Sequence, residues 1–256
     1  MLSPERQKLI LLELESKGNV SVTELKSLLK VSIDTVRRDL KSLEKRGKIE
    51  RIHGGAILKE EVVTNQAFEN RKFSYQERKS ELAKAATEYV KEYQAISLNA
   101  GTTNIEVAKE LALHFDRLTI ITNSLHVANI LTSKKDFTVI VTGGVMNQEE
   151  FSLYDRNIVN EIKQFNIDVA FISINAISLT KGLTDFRQGE KEVINAMIES
   201  AEKAIVAADS SKYETVSYLK ICNLDQIDTF ITDSYLDEDL LTQYEEQDIH
   251  IHKAYR

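Results

Sequence analysis

Five short polar stretches of this 256-residue chain carry residue types suited to holding an anion and a polyol. Asn99-Ala100-Gly101-Thr102-Thr103 follows a run of β-formers and opens a helical pattern. Glycine lets backbone approach a ligand closely, two hydroxyls can donate, and the amino end of a helix offers free N–H groups to an anion. Thr122-Asn123-Ser124 repeats the arrangement after the next strand-like run, and Gly143-Gly144 ends the third. Farther on, Gly182-Leu183-Thr184-Asp185 and Glu190 supply carboxylates, and Asp209-Ser210-Ser211-Lys212 sets a lysine among hydroxyls, where it can pair with phosphate or hydrogen-bond sugar hydroxyls. Alone, Gly-Thr-Thr is a common strand-to-helix turn and Lys212 a common turn lysine. Polar loops on three successive strand ends converge better on a shared anion pocket. The chain has no G-x-x-x-x-G-K followed by Ser or Thr and no G-x-G-x-x-G after a strand, which removes most support for nucleoside triphosphates and dinucleotides. A small phosphorylated ligand fits better.

A second constellation lies near the amino terminus. Val31-Ser32-Ile33-Asp34-Thr35-Val36-Arg37-Arg38-Asp39-Leu40 pairs two arginines inside a helical pattern, in a chain of formal net charge −7. Divided at residue 59, that charge separates into 13 Lys and Arg against 8 Asp and Glu in the head, and 20 against 32 in the remainder. A basic head on an acidic body suggests that the head meets a polyanion.

The elements required to position these residues follow from local patterns. Ser3-Pro4 starts a helix over residues 4–17 with Leu9, Ile10, Leu12 and Leu14 as apolar positions; Gly18 follows. Residues 20–22 form a short extended piece. Leu25, Leu28 and Leu29 mark a second helix capped by Ser21 or Thr23, and Lys30-Val31 the turn. Ser32 caps a third helix, ended by Gly47, whose Val36, Leu40 and Leu43 share one buried face. That face turns Asp34, Thr35, Arg37, Arg38 and Lys41 outward, and the two arginines, about 100° apart, cannot make the same contact. Residues 48–52 alternate like a strand and His53-Gly54-Gly55 breaks them before residues 56–58, giving a two-stranded wing with Arg51, His53 and Gly54 at its tip. Two short helices, a tight turn, a third helix with a polar amino end and a wing form a winged helix-turn-helix, whose third helix enters a DNA major groove. Residues 1–58 are this domain and residues 59–76 a charged connector.

The body, residues 77–256, begins with a helix over 77–91. Strand-like runs at 95–98, 118–122, 138–141, 168–172, 204–207 and 229–232 then alternate with helical runs at 104–113, 125–131, 156–164, 190–201 and 237–247. Such alternation predicts an α/β domain with a doubly wound, mostly parallel sheet, in which residues just after each strand carry the chemistry. The single cysteine, Cys222, excludes an internal disulfide and reads as a small buried residue. No signal-peptide pattern starts the chain and no apolar run approaches the roughly 20 residues of a membrane span. A cytoplasmic protein with no membrane partner is expected. His250-Ile251-His252 on a strand would align two imidazoles, but no third ligand is evident, so exposed histidines on a terminal strand are expected and no metal site.

On residues 20–56, VSVTELKSLLKVSIDTVRRDLKSLEKRGKIERIHGGA, the chain resembles the winged helix of the DeoR family of bacterial sugar-metabolism regulators, through its T-V-R-R-D-L and H-G-G-A elements. The body is similar to that family's C-terminal sugar-phosphate sensor, a relative in fold of ribose-5-phosphate isomerase, at N-A-G-T-T, I-T-N-S, T-G-G, G-L-T-D with Glu190, A-M-I-E and A-D-S-S-K. The resemblance implies that Thr35, Arg37 and Arg38 meet DNA and that Asn99, Gly101, Thr102, Thr103, Asn123, Ser124, Glu190 and Lys212 line the effector site. Members commonly carry glycine where this chain has Asp155 and Ala176, and an arginine in the stretch after Gly144, here VMNQEE.

Two functions are open to such a chain. One is a regulator, mostly repressors in this family, that binds double-stranded operator DNA as a homodimer or homotetramer and responds to a phosphorylated sugar without a cofactor. The other is an isomerase-like enzyme using Glu190, Asp185 and Lys212 for enediol chemistry. The attached DNA reader favours the first.

Overall fold

A computed structural model of the chain describes residues 3–17, 19–46, 48–52, 54–58 and 68–255. It divides into two compact units, Met1–Gln76 and Glu77–Arg256.

In the first unit, α1 (Ser3–Lys17), α2 (Val22–Leu29) and α3 (Ile33–Lys45) enclose a core of Ile10, Leu14, Leu25, Leu29, Val36, Leu40 and Leu43. Ser21, not Thr23, caps α2, and the cap is reciprocal: Glu24 N donates to Ser21 Oγ at 3.1 Å and Ser21 N to Glu24 Oε2 at 2.8 Å. Lys30 ends α2 in the left-handed region at φ 52°, and Ser32 caps α3 two residues later. This tight turn lets α3 pack against α2. The wing, β2 (Ile49–Ile52) and β3 (Gly55–Leu58), is antiparallel, and a third strand, β1 (Asn19–Ser21), pairs with β3. Three strands therefore replace the expected two, because the short extended piece before α2 supplies a partner for the wing. Gly55 makes that pairing feasible, since a Cβ there would stand 2.1 Å from Val20 O. Part of the expected connector is ordered structure: Phe68–Phe73 is a helix, α4, that packs on α1 and buries Phe68. Gly18, Gly47, His53 and residues 59–67 lie outside the described residues.

The body opens with α5 (Gln76–Ala86), which is shorter than the pattern suggests: Thr87 Oγ1 bonds back to Lys84 O at 2.7 Å and the chain tightens into a 3₁₀ turn, Thr87–Tyr89. There follow β4 (Ala95–Leu98), α6 (Thr102–His114), β5 (Thr119–Thr122), α7 (Leu125–Leu131), β6 (Thr138–Val141), the hairpin β7 (Val145–Asn147) and β8 (Ser152–Tyr154), α8 (Arg156–Ile162) and β9 (Ile167–Ile172). Next come β10 (Ala176–Ser178), β11 (Gly182–Asp185), α9 (Glu190–Ser200), β12 (Ala201–Ala207), β13 (Leu219–Cys222), β14 (Thr229–Thr232), α10 (Glu238–Glu245) and β15 (Ile251–Lys253). Seven of the strands form one parallel sheet in the order β15-β14-β12-β9-β4-β5-β6. Its central strands alternate strictly. In β9, Val169 and Phe171 join the core under α5, α6 and α7, whereas Ala170 and Ile172 join the core under α8 and α9. The sheet is thus doubly wound, with the chain running from β4 to β5 and β6 on one side and returning to β9 on the other. That reversal makes the gap between the ends of β4 and β9 the natural crevice for a ligand. Two small sheets, β7–β8 and β10–β11–β13, complete the body.

Candidate functional site

On the head, burial of Val36, Leu40 and Leu43 leaves Asp34, Arg37, Arg38 and Lys41 exposed on α3. Ser32 caps the helix through Thr35 N at 3.3 Å, and its Oγ stands 2.9 Å from Thr35 Oγ1, so both hydroxyls help to set the helix start. Arg38 Nε donates to Asp34 O at 3.3 Å, which steadies that side chain along the helix, while Arg37 projects separately. Arg51 is exposed on β2, but 3.9 Å from the Glu44 carboxylate and short of the tip. Its expected place at the tip is therefore corrected: the turn is made by Gly54, exposed and at φ +84°. Two exposed apolar residues escaped the pattern, Ile33 (39% exposed) at the start of α3 and Ile52 (45%) beside the turn. Both lie off the buried stripe, which was the available signal. Such a side chain suits contact with a thymine methyl group.

Asp39, at the centre of the same helix, is buried and faces α1. Arg6 Nε donates to its Oδ2 at 2.7 Å and Ser3 Oγ to its Oδ1 at 2.8 Å. Burial alone would raise this carboxyl; the bonds from Arg6 and Ser3 outweigh it and hold the group below its ordinary value.

In the body, the expected effector residues separate into two groups. Thr102 and Thr103 occupy the first turn of α6, and among the described residues their hydroxyls have no hydrogen-bond partner. Gly101 precedes them, and a Cβ on it would fall 2.2 Å from Ser173 Oγ, so only glycine admits this packing of the β4 and β9 ends. Asn99, Asn123 and Asp185 do not present free groups, contrary to expectation. Asn99 is fully buried: its Nδ2 donates to Ala100 O and Ser173 O at 3.1 and 3.0 Å, and its Oδ1 accepts from Asn104 Nδ2 and Ser173 N. Asn123 Oδ1 accepts from Ala100 N at 2.9 Å, and its Nδ2 donates to Leu153 O and to Glu190 Oε1, each at 3.0 Å.

Asp185 is taken up by a residue that the pattern did not single out, Arg187. Arg187 Nε donates to Asp185 Oδ1 at 2.9 Å and Nη2 to Oδ2 at 2.6 Å, with side-chain exposures of 4% and 0%. Burial alone would raise Asp185; the adjacent guanidinium holds it below the usual carboxylate range. Arg187 Nη1 also donates to Ala100 O at 2.5 Å and Nη2 to Ser173 O at 3.3 Å. Its only sequence signal is an acid and a base two residues apart after a strand. Ion pairs at that spacing are too common to read.

Glu190 opens α9 and is buried with one oxygen, Oε2, unpartnered. Burial pushes its carboxyl up to about 7, against the pull of Arg187. Ser124 is buried and caps α7 through Val127 N at 3.3 Å. Gly143 is exposed with open space around it, and Gly144, at φ +148°, lies against Ile158. Lys212 stands at the end of β12, one strand beyond β9, where its charge acts on buried Asp209. A cleft of about 560 Å³ opens beside Glu190, bounded by Tyr154, Asp155, Arg156, Gln188, Gly189 and Glu192 and by none of the residues expected to hold a ligand. The Tyr154 ring lies where a Cβ on Gly189 would be only 2.6 Å away.

Away from this region, His252 sits on β15 and shares a 2.9 Å hydrogen bond with the Tyr89 hydroxyl, so it is half-buried and engaged. His250 is exposed and precedes the strand. Among the described residues no group of three or more His, Cys, Asp or Glu is placed to hold a metal ion. Cys222 is buried in β13, which pushes its thiol up to about 12. No described helix is long and apolar enough to cross a membrane.

Residues 6–62 match the DeoR-like helix-turn-helix domain, and residues 74–234 match the DeoR C-terminal sensor domain. The chain is 35% identical over 244 residues to the HTH-type transcriptional regulator GolR of Listeria innocua, spanning 94% of this chain and 95% of that protein. It is 34% identical over 249 residues to the HTH-type transcriptional repressor CsqR of Escherichia coli K12, spanning 97% and 94%. Among solved structures, ribose 5-phosphate isomerase A from Methanocaldococcus jannaschii aligns with 55% of each chain at 17% identity and a TM-score of 0.41.

Proposed function

The chain belongs to the DeoR family of transcriptional regulators, and from that membership we propose that it represses an operon of carbohydrate metabolism and answers to a phosphorylated sugar. In this reading α3 enters the major groove of double-stranded operator DNA, with Arg37, Arg38, Lys41 and the Gly54 turn of the wing facing bases and phosphates. One small winged helix makes few contacts, so a homodimer or homotetramer presents paired heads to repeated half-sites.

The observation that carries the sensor half is the amino end of α6. Its first-turn amides and the unpartnered hydroxyls of Thr102 and Thr103, at the point where the strand order reverses between β4 and β9, suit a phosphate group. Lys212 and Glu190 Oε2 are assigned to the remaining ligand oxygens. Binding without turnover belongs to the same reading: the pocket's arginine, Arg187, is engaged by Asp185 and two carbonyls, which leaves it unsuited to stabilising an enediolate. Effector and operator then change each other's affinity by the same factor, through the preferred arrangement of the body.

A thermal-shift screen of phosphorylated hexoses, pentoses and polyols on the full chain, followed by gel shift with the stabilising compound, tests this. Stabilisation by one class and release of operator DNA are expected. Failure of every phosphorylated sugar to alter melting or DNA binding would overturn the sensor reading, and aldose-to-ketose turnover would overturn its non-enzymatic part.

A further inference from the structure

We propose that Arg187 is a positioning residue that sets the anion-receiving turn of α6, with Asp185 as its buried anchor. This rests on the reading that the turn holds the ligand's phosphate.

Three residues, 99–101, join β4 to α6, and their orientation decides where the first-turn amides point. The middle residue is clamped at both poles. Ala100 N–H donates to Asn123 Oδ1 at 2.9 Å, and Ala100 C=O accepts from Arg187 Nη1 at 2.5 Å. Each clamp rests on a buried carboxylate: Asn123 donates to Glu190 Oε1, and Arg187 is forked on Asp185. Asp185 is in turn fixed by the amides of Asn175, Phe186 and Arg187 at 3.2, 2.8 and 2.9 Å. Arg187 therefore cannot swing, and its bonds to Ala100 O and Ser173 O tie the end of β4 to that of β9.

Stability alone is a weak reason for a buried ion pair, because well-packed apolar replacements are often neutral or stabilising. What an apolar pair could not do is grip two carbonyls on adjacent strands. Net charge is also a weak reason, since Asp185 balances the guanidinium. The remaining property is the planar fork, which a lysine ammonium cannot reproduce. Arg187→Lys thus separates geometry from charge.

The test is calorimetric titration of the full chain with inorganic phosphate, together with hydrogen exchange over residues 100–104. Arg187→Lys and Asp185→Asn should each weaken phosphate binding by about tenfold through lost preorganisation, and exchange of the turn amides should rise while operator binding stays unchanged. Thr103→Val, which touches the cradle directly, serves as the reference. If wild type binds phosphate, Thr103→Val loses it and Arg187→Lys binds as wild type does, the assignment of Arg187 falls and the reading of the turn stands. If wild type takes up no phosphate, both fall. Should Arg187→Lys fail to fold, the apolar pair Asp185→Leu with Arg187→Met keeps the core filled; wild-type phosphate affinity in that double variant would equally overturn the proposal.

Discussion

Arg6 of α1 holds Asp39 of α3 through a 2.7 Å bond from Nε to Oδ2, so the acid inside the T-V-R-R-D-L element faces the head's own core. Asp39→Asn keeps the side chain's shape and removes its charge. We expect the head to melt a few degrees lower and the operator to bind more weakly, because the docking of α3 on α1 loosens. The folded carboxyl lies below its ordinary value, so its stabilisation is present above the unfolded pKa and is lost as pH falls through the lowered one. A wild-type minus Asp39→Asn melting curve that is flat across acid pH would refute this.

Arg37→Ala and Arg38→Ala should each weaken operator binding by about 1–3 kcal/mol. Because Arg38 is steadied by Asp34 O and Arg37 is not, the two need not read the same part of the site. Gel-shift titrations at several salt concentrations sort them: a phosphate contact reduces the salt slope by about one, whereas a base contact relaxes sequence preference. Unchanged affinity in either variant removes that arginine from the interface.

Glu190 gives a pH signature of opposite sign. Its folded carboxyl, near 7, lies above the ordinary value of 4.5, so the folded chain binds the proton more tightly than the unfolded one and stability falls as pH rises between the two. Glu190→Gln, which stays neutral, should remove that decline and gain on the order of 3 kcal/mol over wild type above pH 7. Denaturant titrations at pH 5 and pH 8 measure it; an equal difference at both would exclude the titration.

Gly101→Ala should destabilise the body by about 1–3 kcal/mol through overpacking and distort the α6 turn, because the new Cβ meets Ser173 Oγ. Ser173→Gly empties that space. The double variant is expected to recover most of the loss, and a strictly additive pair would show that the two residues do not compete for the same volume.

How much of this could be read in advance depended on range. α3, its Ser32 cap and its buried Val36, Leu40 and Leu43 are local facts, as are the six parallel strands placed by alternating patterns. The β7–β8 hairpin and the β10–β11–β13 sheet went unread, since their strands fall outside the regular succession of strand and helix that marked the equally short β4, β5, β6 and β14. The same limit applies to the site. Gly-Thr-Thr after a strand announces an anion turn by local geometry, but whether Asn99 or Asn123 faces a ligand or braces the loop is decided by partners 74 and 67 residues distant. Arg187 meets Ala100 across 87 residues, and nothing in its neighbourhood foretells that contact.

Gly55 leaves no room for any side chain where β3 leaves the turn of the wing, whereas Gly54 beside it is surrounded by open space. Divergence of such a regulator toward a new operator is thereby channelled. The first position of β3 is closed to substitution by the carbonyl of Val20, and new DNA preferences have to be acquired at Gly54 or along the outer face of α3, where change leaves the scaffold intact.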